Sequence, residues 1–377
     1  MRMRIRWSAI CILLLLMAGC DRLDVEKTTL SLVYGYDVAE KDKMFIYQLS
    51  PVFNKDAKKK FEVYGAKVNT TRQAREVFNS VSNGEIVNGK IQVLLFGEQL
   101  LRKTGIMTRL DVIYRDPKNT GNMRVVAVKG RVSSIVNSEF PDKPILPTYI
   151  THSIDVARAK NETAFATVQS LHILLLDKGS TPAITEMKAD KKGIVVTGSA
   201  LLDNKGIYKM SLNRRESILL HILQKKEEAP VTLTMQLPSL SIKSKNTVMN
   251  KKGAEFVTVN INKIKRTIST HYKKGRFYFD IAMRLDLSLG ERTFDVNMEK
   301  NQEQLTEIIR SQIEKELNTI VKRVQKHQLD PFNFGWYARA YQYEHWKKID
   351  NRWPHEFAKA EVTITPTVKI KSYGVVE

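Results

Sequence analysis

Phe277, Phe279, Ile281, Met283, Leu285, Leu287 and Leu289 alternate without a break. Between them stand mainly polar residues, among them Tyr278, Asp280, Arg284, Asp286 and Ser288. Successive side chains of a strand point to opposite faces, so this run demands a long strand with one face in a core and the other outside it. Val257, Val259 and Ile261 repeat the pattern, as do Val231 to Leu237 and Val362 to Ile370. Leu305, Ile308, Ile309, Ile313, Leu317, Ile320, Val321 and Val324 instead fall at helical spacing on one face. That periodicity predicts a helix over about 301–327, with Lys322, Arg323, Lys326 and His327 in the last turn, where cations suit the helix dipole. Four alternating strands and one long amphipathic helix predict an antiparallel sheet with helices on one face. Pro366 cannot donate to a ladder and so marks an edge or a bulge. Asp330-Pro331 reads as an N-cap followed by proline at the first helical position.

The preceding chain is mixed. Strands are expected over 29–38, 43–53, 90–96 and 123–129, with a helix opened by Thr70 and Gln73 in a capping-box pattern. Shorter helices are expected over 98–102 and from Met107. Pro141, Pro144 and Pro147 read as a connector, with helices near 153–159 and 163–176 after it. Gly193–Leu202, the turn Asn204-Lys205-Gly206 and Ile207–Met210 read as a hairpin, followed by a helix that Ser211-Leu212-Asn213 starts. The expected fold class is therefore α+β (mixed α/β) in several domains. The expected boundaries are 1–19 (a signal), 20–190 (α/β), 191–228 (a small hairpin-helix unit) and 229–377 (α+β).

The first twenty residues carry a different kind of signal. Arg2, Arg4 and Arg6 precede an apolar run from Ala9 to Met17, closed by Ala18-Gly19-Cys20. A basic region, a short apolar region and small residues before a cleavage point are the parts of an export signal. The apolar run is short of the ~20 residues that span a bilayer. A cysteine directly after the cleavage point makes the stretch resemble a bacterial lipoprotein signal, which implies lipidation of Cys20. The only other cysteine, Cys11, would leave with the signal, so the expected mature chain has no disulfide.

The net charge is +21, and removing the signal takes away three arginines and no acid. Export argues against nucleic acid as the target of this charge and leaves anionic lipid head groups or an acidic protein. Lys243, Lys245, Lys251, Lys252, Lys263, Lys265, Arg266, Lys273, Lys274 and Arg276 fall within one stretch whose only acid is Glu255. They read either as solvated turn and strand residues or as a membrane-surface contact.

Catalytic motifs are missing. No HExxH, GxSxG, GxGxxG or CxxC occurs, and Gly193 to Gly198 has P-loop glycine spacing without the following Lys-Ser/Thr. The seven histidines do not pair at metal-ligand helical spacing. No enzyme activity, cofactor or metal is expected. The aromatic residues Phe332, Phe334, Trp336, Tyr337, Tyr341, Tyr343, Trp346, Trp353 and Phe357 read as core between the long helix and the last strand, or as a docking surface.

Asp330-Pro331-Phe332-Asn333-Phe334-Gly335, with Val324-Gln325-Lys326 before it and Trp346, Trp353, Phe357 and Tyr373-Gly374 after it, resembles the C-terminal signature of the Ger(x)C family, the C subunits of bacterial spore germinant receptors. Gly198 through Gly206, with Glu216 and Leu219-Leu220, is similar to that family's hairpin and helix. Tyr34-Gly35-Tyr36-Asp37, Gly97-Glu98, Gly105, Leu110-Asp111, Arg115-Asp116 and Ala127-Val128-Lys129-Gly130 match in the first half. After Cys20 the chain reads Asp21-Arg22-Leu23-Asp24-Val25-Glu26, without the tryptophan common there, so any contact of that tryptophan is not carried over. The resemblance implies three mixed α/β domains and a lipid anchor at the outer face of the inner spore membrane. It also implies integral-membrane A and B subunits as partners and a non-catalytic role in nutrient-triggered germination. The readings that compete with it are an exported solute-binding lipoprotein of a transporter and a cortex hydrolase or its regulator.

Overall fold

The computed structural model describes residues 28–41, 43–226, 230–237, 255–294 and 297–372. In chain order the first elements are β1 (Thr28–Leu30), β2 (Val33–Val38), β3 (Met44–Pro51), β4 (Phe61–Val68), α1 (Thr71–Asn79), β5 (Glu85–Val87) and β6 (Val93–Gly97). Then come α2 (Glu98–Thr104), α3 (Met107–Tyr114), β7 (Arg124–Val128), α4 (Ser133–Val136), α5 (Leu146–Ala159) and α6 (Val168–Leu176). β8 (Ala183–Asp190), β9 (Gly193–Leu202) and β10 (Tyr208–Asn213) complete an eight-stranded sheet of order β10-β9-β8-β7-β6-β2-β3-β4. Its four central strands, β8, β7, β6 and β2, are parallel, and the flanking pairs are antiparallel. Helices cover both faces. Leu94, Phe96, Val125 and Ala127 pack with α1, α2, α3 and α6, whereas Val93, Leu95, Val126 and Val128 pack with α4 and α5. Burial on both sides is why these strands read as unbroken apolar runs rather than alternations.

The rest comprises α7 (Arg214–Gln224), β11 (Val231–Leu237), β12 (Glu255–Lys273), β13 (Arg276–Arg292), α8 (Met298–Lys326), α9 (Phe334–Tyr341), α10 (Tyr343–Trp346), α11 (Trp353–Ala358) and β14 (Glu361–Ser372). The second sheet has order β11-β12-β13-β14, and α8 lies on one face of it. The fold is α+β with mixed sheets. One pairing differs from expectation, since β14 runs parallel to β13. The helical segment from α8 to α11 carries the chain back to the starting end of β13, and such a crossover joins parallel strands. Pro366 stands on β14, an edge strand, opposite Met283.

Other departures have local causes. Pro147 lies in the first turn of α5, where its missing N–H costs nothing, so that helix starts well before residue 153. Thr70 caps α1 by accepting from the Gln73 N–H, but the Gln73 amide oxygen accepts from Asn69 rather than from Thr70. The stretch from β9 to α7 contributes to both sheets. Its hairpin extends the first sheet, while α7 contributes Ile218 to Leu220, Ile222 and Leu223 to the core of the second. Arg215 to Glu316 (2.7 Å) ties α7 to α8.

Candidate functional site

In sheets with parallel strands, ligands bind beyond the carboxyl ends of the strands where the strand order reverses. Here that place lies between β2 and β6, and the chain fills it with its own carboxylate. Asp37, buried at the end of β2, accepts hydrogen bonds from the Val132 (3.0 Å) and Ser133 (3.3 Å) N–H groups at the start of α4. Burial raises its pKa, and those two N–H groups and Arg131 counter the rise. Gly97 admits the carboxylate, because a Cβ there would overlap Asp37 Oδ1. Gly35 is equally constrained, since its Cβ would lie 2.5 Å from Val132 Cγ1. Tyr36 stacks on Phe96 with centroids 5.0 Å apart. Gly35, Asp37, Gly97 and Gly130 of the first-half motifs thus meet at one packed corner, whereas Gly105 lies against Gly206 and Asp111 pairs with Arg115 on an exposed helix face.

A second acid is buried beside the hairpin. Glu186 of β8 accepts from the hydroxyls of Tyr208 (2.7 Å), Ser211 (2.6 Å) and Thr197 (2.8 Å). Sequence reasoning missed both it and β8. An acid in the middle of Ala183–Asp190 breaks the apolar signature of a strand.

The third cluster joins the two bodies. Asp330 does not cap a helix at Pro331; α9 begins at Phe334 after Asn333 in the left-handed region. The Asp330 carboxylate instead accepts from Gly335 N–H (2.8 Å), Trp353 Nε1–H (2.9 Å) and Phe332 N–H (3.2 Å). Its own N–H donates to Thr181 Oγ1 (2.7 Å), and Thr181 N–H donates to its carbonyl (2.8 Å). Burial pushes the Asp330 carboxyl up to about 6 against the pull of these donors. Next to it Asp177, at the end of α6, accepts from Trp336 Nε1 (3.0 Å) and Arg339 (3.1 Å). Phe332, Phe334, Trp346, Trp353 and Phe357 are buried in the second core, whereas Tyr341 and Tyr343 are exposed. Most of the aromatic stretch is therefore core.

Cys20, Lys243, Lys245, Lys251 and Lys252 lie outside the described residues. Lys263, Lys265 and Lys273 project from the face of the second sheet opposite α8, and Lys274 sits in the turn beyond β12. Arg276 pairs with Glu361 (3.3 Å). Arg266 is on the helix-covered side, donating to the Tyr337 hydroxyl at 3.2 Å. An irregularity between Ile261 and Lys263 shifts the parity of β12, so even-numbered residues turn inward beyond it. The described part of the basic stretch is spread along β12 rather than compact, since ten residues of strand, about 33 Å, separate Lys263 from Lys273. Among the described residues, no group of three or more His, Cys, Asp or Glu could hold a metal, and no helix is long and apolar enough to cross a membrane.

Comparison with known proteins gives these clusters a context. A family model described as spore germination protein N-terminal domain matches residues 21–189, and one described as spore germination B3/GerAC like, C-terminal, matches 197–374. The chain belongs to the Ger(x)C family of spore germinant receptor C subunits. This Ger(x)C chain is 20% identical to spore germination protein GerQC of Bacillus cereus, over 99% of both chains. It is 22% identical to spore germination protein B3 of Bacillus subtilis (strain 168), over 98% of both. The crystal structure of the GerBC protein shares the fold, with a TM-score of 0.56 and 15% identity over 92% of this chain and 100% of that one. The two Ger(x)C models meet between β8 and β9, within a single sheet.

Proposed function

We propose that this chain is a lipid-anchored, non-catalytic subunit of a spore germinant receptor, acting with integral-membrane A and B subunits in nutrient-triggered germination. The observation that carries this reading is the end-to-end match to spore germination proteins, with both family models in order along one chain. In this reading Cys20 bears the lipid and holds the protein at the outer face of the inner spore membrane. The diacylglyceryl group supplies the apolar part of the attachment, and a basic surface adds an electrostatic signal to it. Lys263, Lys265, Lys273 and Lys274, together with Lys243, Lys245, Lys251 and Lys252, supply that signal toward anionic head groups. The filled corner at Asp37 favours a scaffold over a ligand-binding or catalytic role, because the carboxylate takes the position an anionic ligand would use.

The test is affinity purification of the tagged full chain from detergent-solubilised spore membranes, with mass spectrometry of the proteins that come with it. Two multi-span membrane proteins are expected. Recovery of an ABC permease, or of no membrane protein, would overturn the reading.

A further inference from the structure

The free edge of the first sheet carries a groove of about 680 Å³, lined by Val52, Phe61, Val63, Tyr64, Val81 and Val136 among others. Val81 is 63% and Val63 37% exposed, and Phe53 beside them is 58% exposed. Strand edges with apolar neighbours are normally covered.

The described chain begins at this groove. β1 pairs in parallel with β5, Thr28 opposite Glu85, so the described chain starts beside the turn that brings Val81 and Asn83 to the groove. Thr29 is buried, with Thr28 and Leu30 half-buried, and it lies beside Tyr64, a lining residue. With a strand period of two, Leu23 and Val25 share the face of Thr29, while Asp24 and Glu26 share the other. The loop at the mouth of the groove carries exposed Lys55, Lys58 and Lys60, complementary to Asp21, Asp24 and Glu26, while Lys59 pairs with Glu139 (2.7 Å) across the groove. Seven extended residues reach about 23 Å, enough to cross such a groove.

We propose that residues 21–27 seat in this groove in extended form, with Leu23 and Val25 against Val63 and Val81 and the acidic side chains towards the Lys55–Lys60 loop. The segment continues the run of β1, and the chain leaves the body at its lysine-rich end. The consequence for orientation rests on the reading of Cys20 as the lipid attachment point. A seated segment would replace a free tether with a short one and turn the Lys55–Lys60 loop to the membrane.

The experiment uses the full chain in membranes, where Cys20 is the only cysteine beyond the signal. Val25→Cys is paired with Val81→Cys, or with Thr365→Cys on the exposed face of β14, and disulfides are mapped by mass spectrometry under mild oxidation. The Val81 pair is expected to form about ten-fold faster or more, because seating raises the effective concentration. Equal rates would leave the groove to a partner's segment or a second copy and overturn the proposal. Hydrogen exchange of residues 22–27 in the unmodified chain is the second measurement. Protection lost in Val81→Asp is expected, and unprotected exchange in the parent would be equally fatal. The Cys20 peptide in the same sample reports lipidation separately. A free thiol there would end the lipid reading and leave the seating to be judged by the disulfide.

Discussion

Gly335→Ala tests whether the two bodies depend on a backbone-to-backbone contact. A Cβ at Gly335 would overlap the Gly179 carbonyl oxygen and stand 2.6 Å from both Gly179 Cα and Trp353 Nε1. That is roughly 1 Å inside ordinary contact. Two of the three atoms are backbone, so no rotamer change relieves them. The start of α9 must then move away from the 177–181 loop. Overpacking of this kind costs about 1–3 kcal/mol. The shift also loosens two hydrogen bonds to the buried Asp330 carboxylate, from Gly335 N–H and Trp353 Nε1, and bonds to a charged group are worth about 1.5–3 kcal/mol each. Partial loss of both brings the expected destabilisation to about 3–5 kcal/mol. The control is Gly275→Ala, in the β12–β13 turn at φ 77°, where a Cβ meets nothing within 4 Å. Only the left-handed backbone is strained there, at about 1 kcal/mol. Urea unfolding of the chain from residue 21, followed by tryptophan fluorescence, measures both. If Gly335→Ala unfolds within 1 kcal/mol of the parent, or no earlier than Gly275→Ala, the steric argument is refuted.

Two further outcomes follow from the charges. The folded Asp330 carboxyl titrates at about 6 against 3.8 for the free group, so the folded state holds its proton more tightly. Its contribution to stability therefore falls as pH rises from 3.8 to about 6 and is flat above. Asp330→Asn should remove that slope, which denaturant midpoints measured across the window would detect; identical slopes in both proteins would rule the assignment out. For the outer face of the second sheet, a form lacking Cys20 should bind anionic vesicles and not neutral ones. Changing Lys263, Lys265 and Lys273 to Glu should weaken that binding about ten-fold or more, each lysine near the surface being worth about 1 kcal/mol. Equal binding to both vesicle types would dispose of the membrane contact.

Local pattern was enough where a residue's environment is set by its own neighbours in the chain. The alternation of β13, the apolar stripe of α8, the Thr70 cap and the 193–213 hairpin were all legible for that reason. Of Ser211-Leu212-Asn213, read together as the start of a helix, Ser211 and Leu212 belong to β10 and Asn213 closes a full capping box with Glu216. β4 escaped because apolar residues stand on both of its faces, Tyr64, Ala66 and Val68 on the inner one and Phe61 and Val63 on the outer, so the sequence shows no clean period. β8 escaped because Glu186, satisfied by three hydroxyls from β9 and β10, stands where an apolar residue would be expected. The parity change in β12 follows from a bulge that no residue type announces, and it placed Arg266 on the covered side.

Asp330 marks the division between the two kinds of information. Asp-Pro reads locally as a helix start, but a carboxylate takes the donors that tertiary packing brings to it. Here these come from Trp353, 23 residues on, while Thr181, 149 residues back, holds the Asp330 backbone. The sequence by itself determined most of the elements, the α+β class and the family signature, because propensity, periodicity and capping act over a few residues. Only the tertiary structure decided that β9 and β10 complete the first sheet, that β14 runs parallel to β13, and that the signature acids are structural ties. These depend on pairings between segments far apart in the chain, whose energies arise only once the chain has closed on itself.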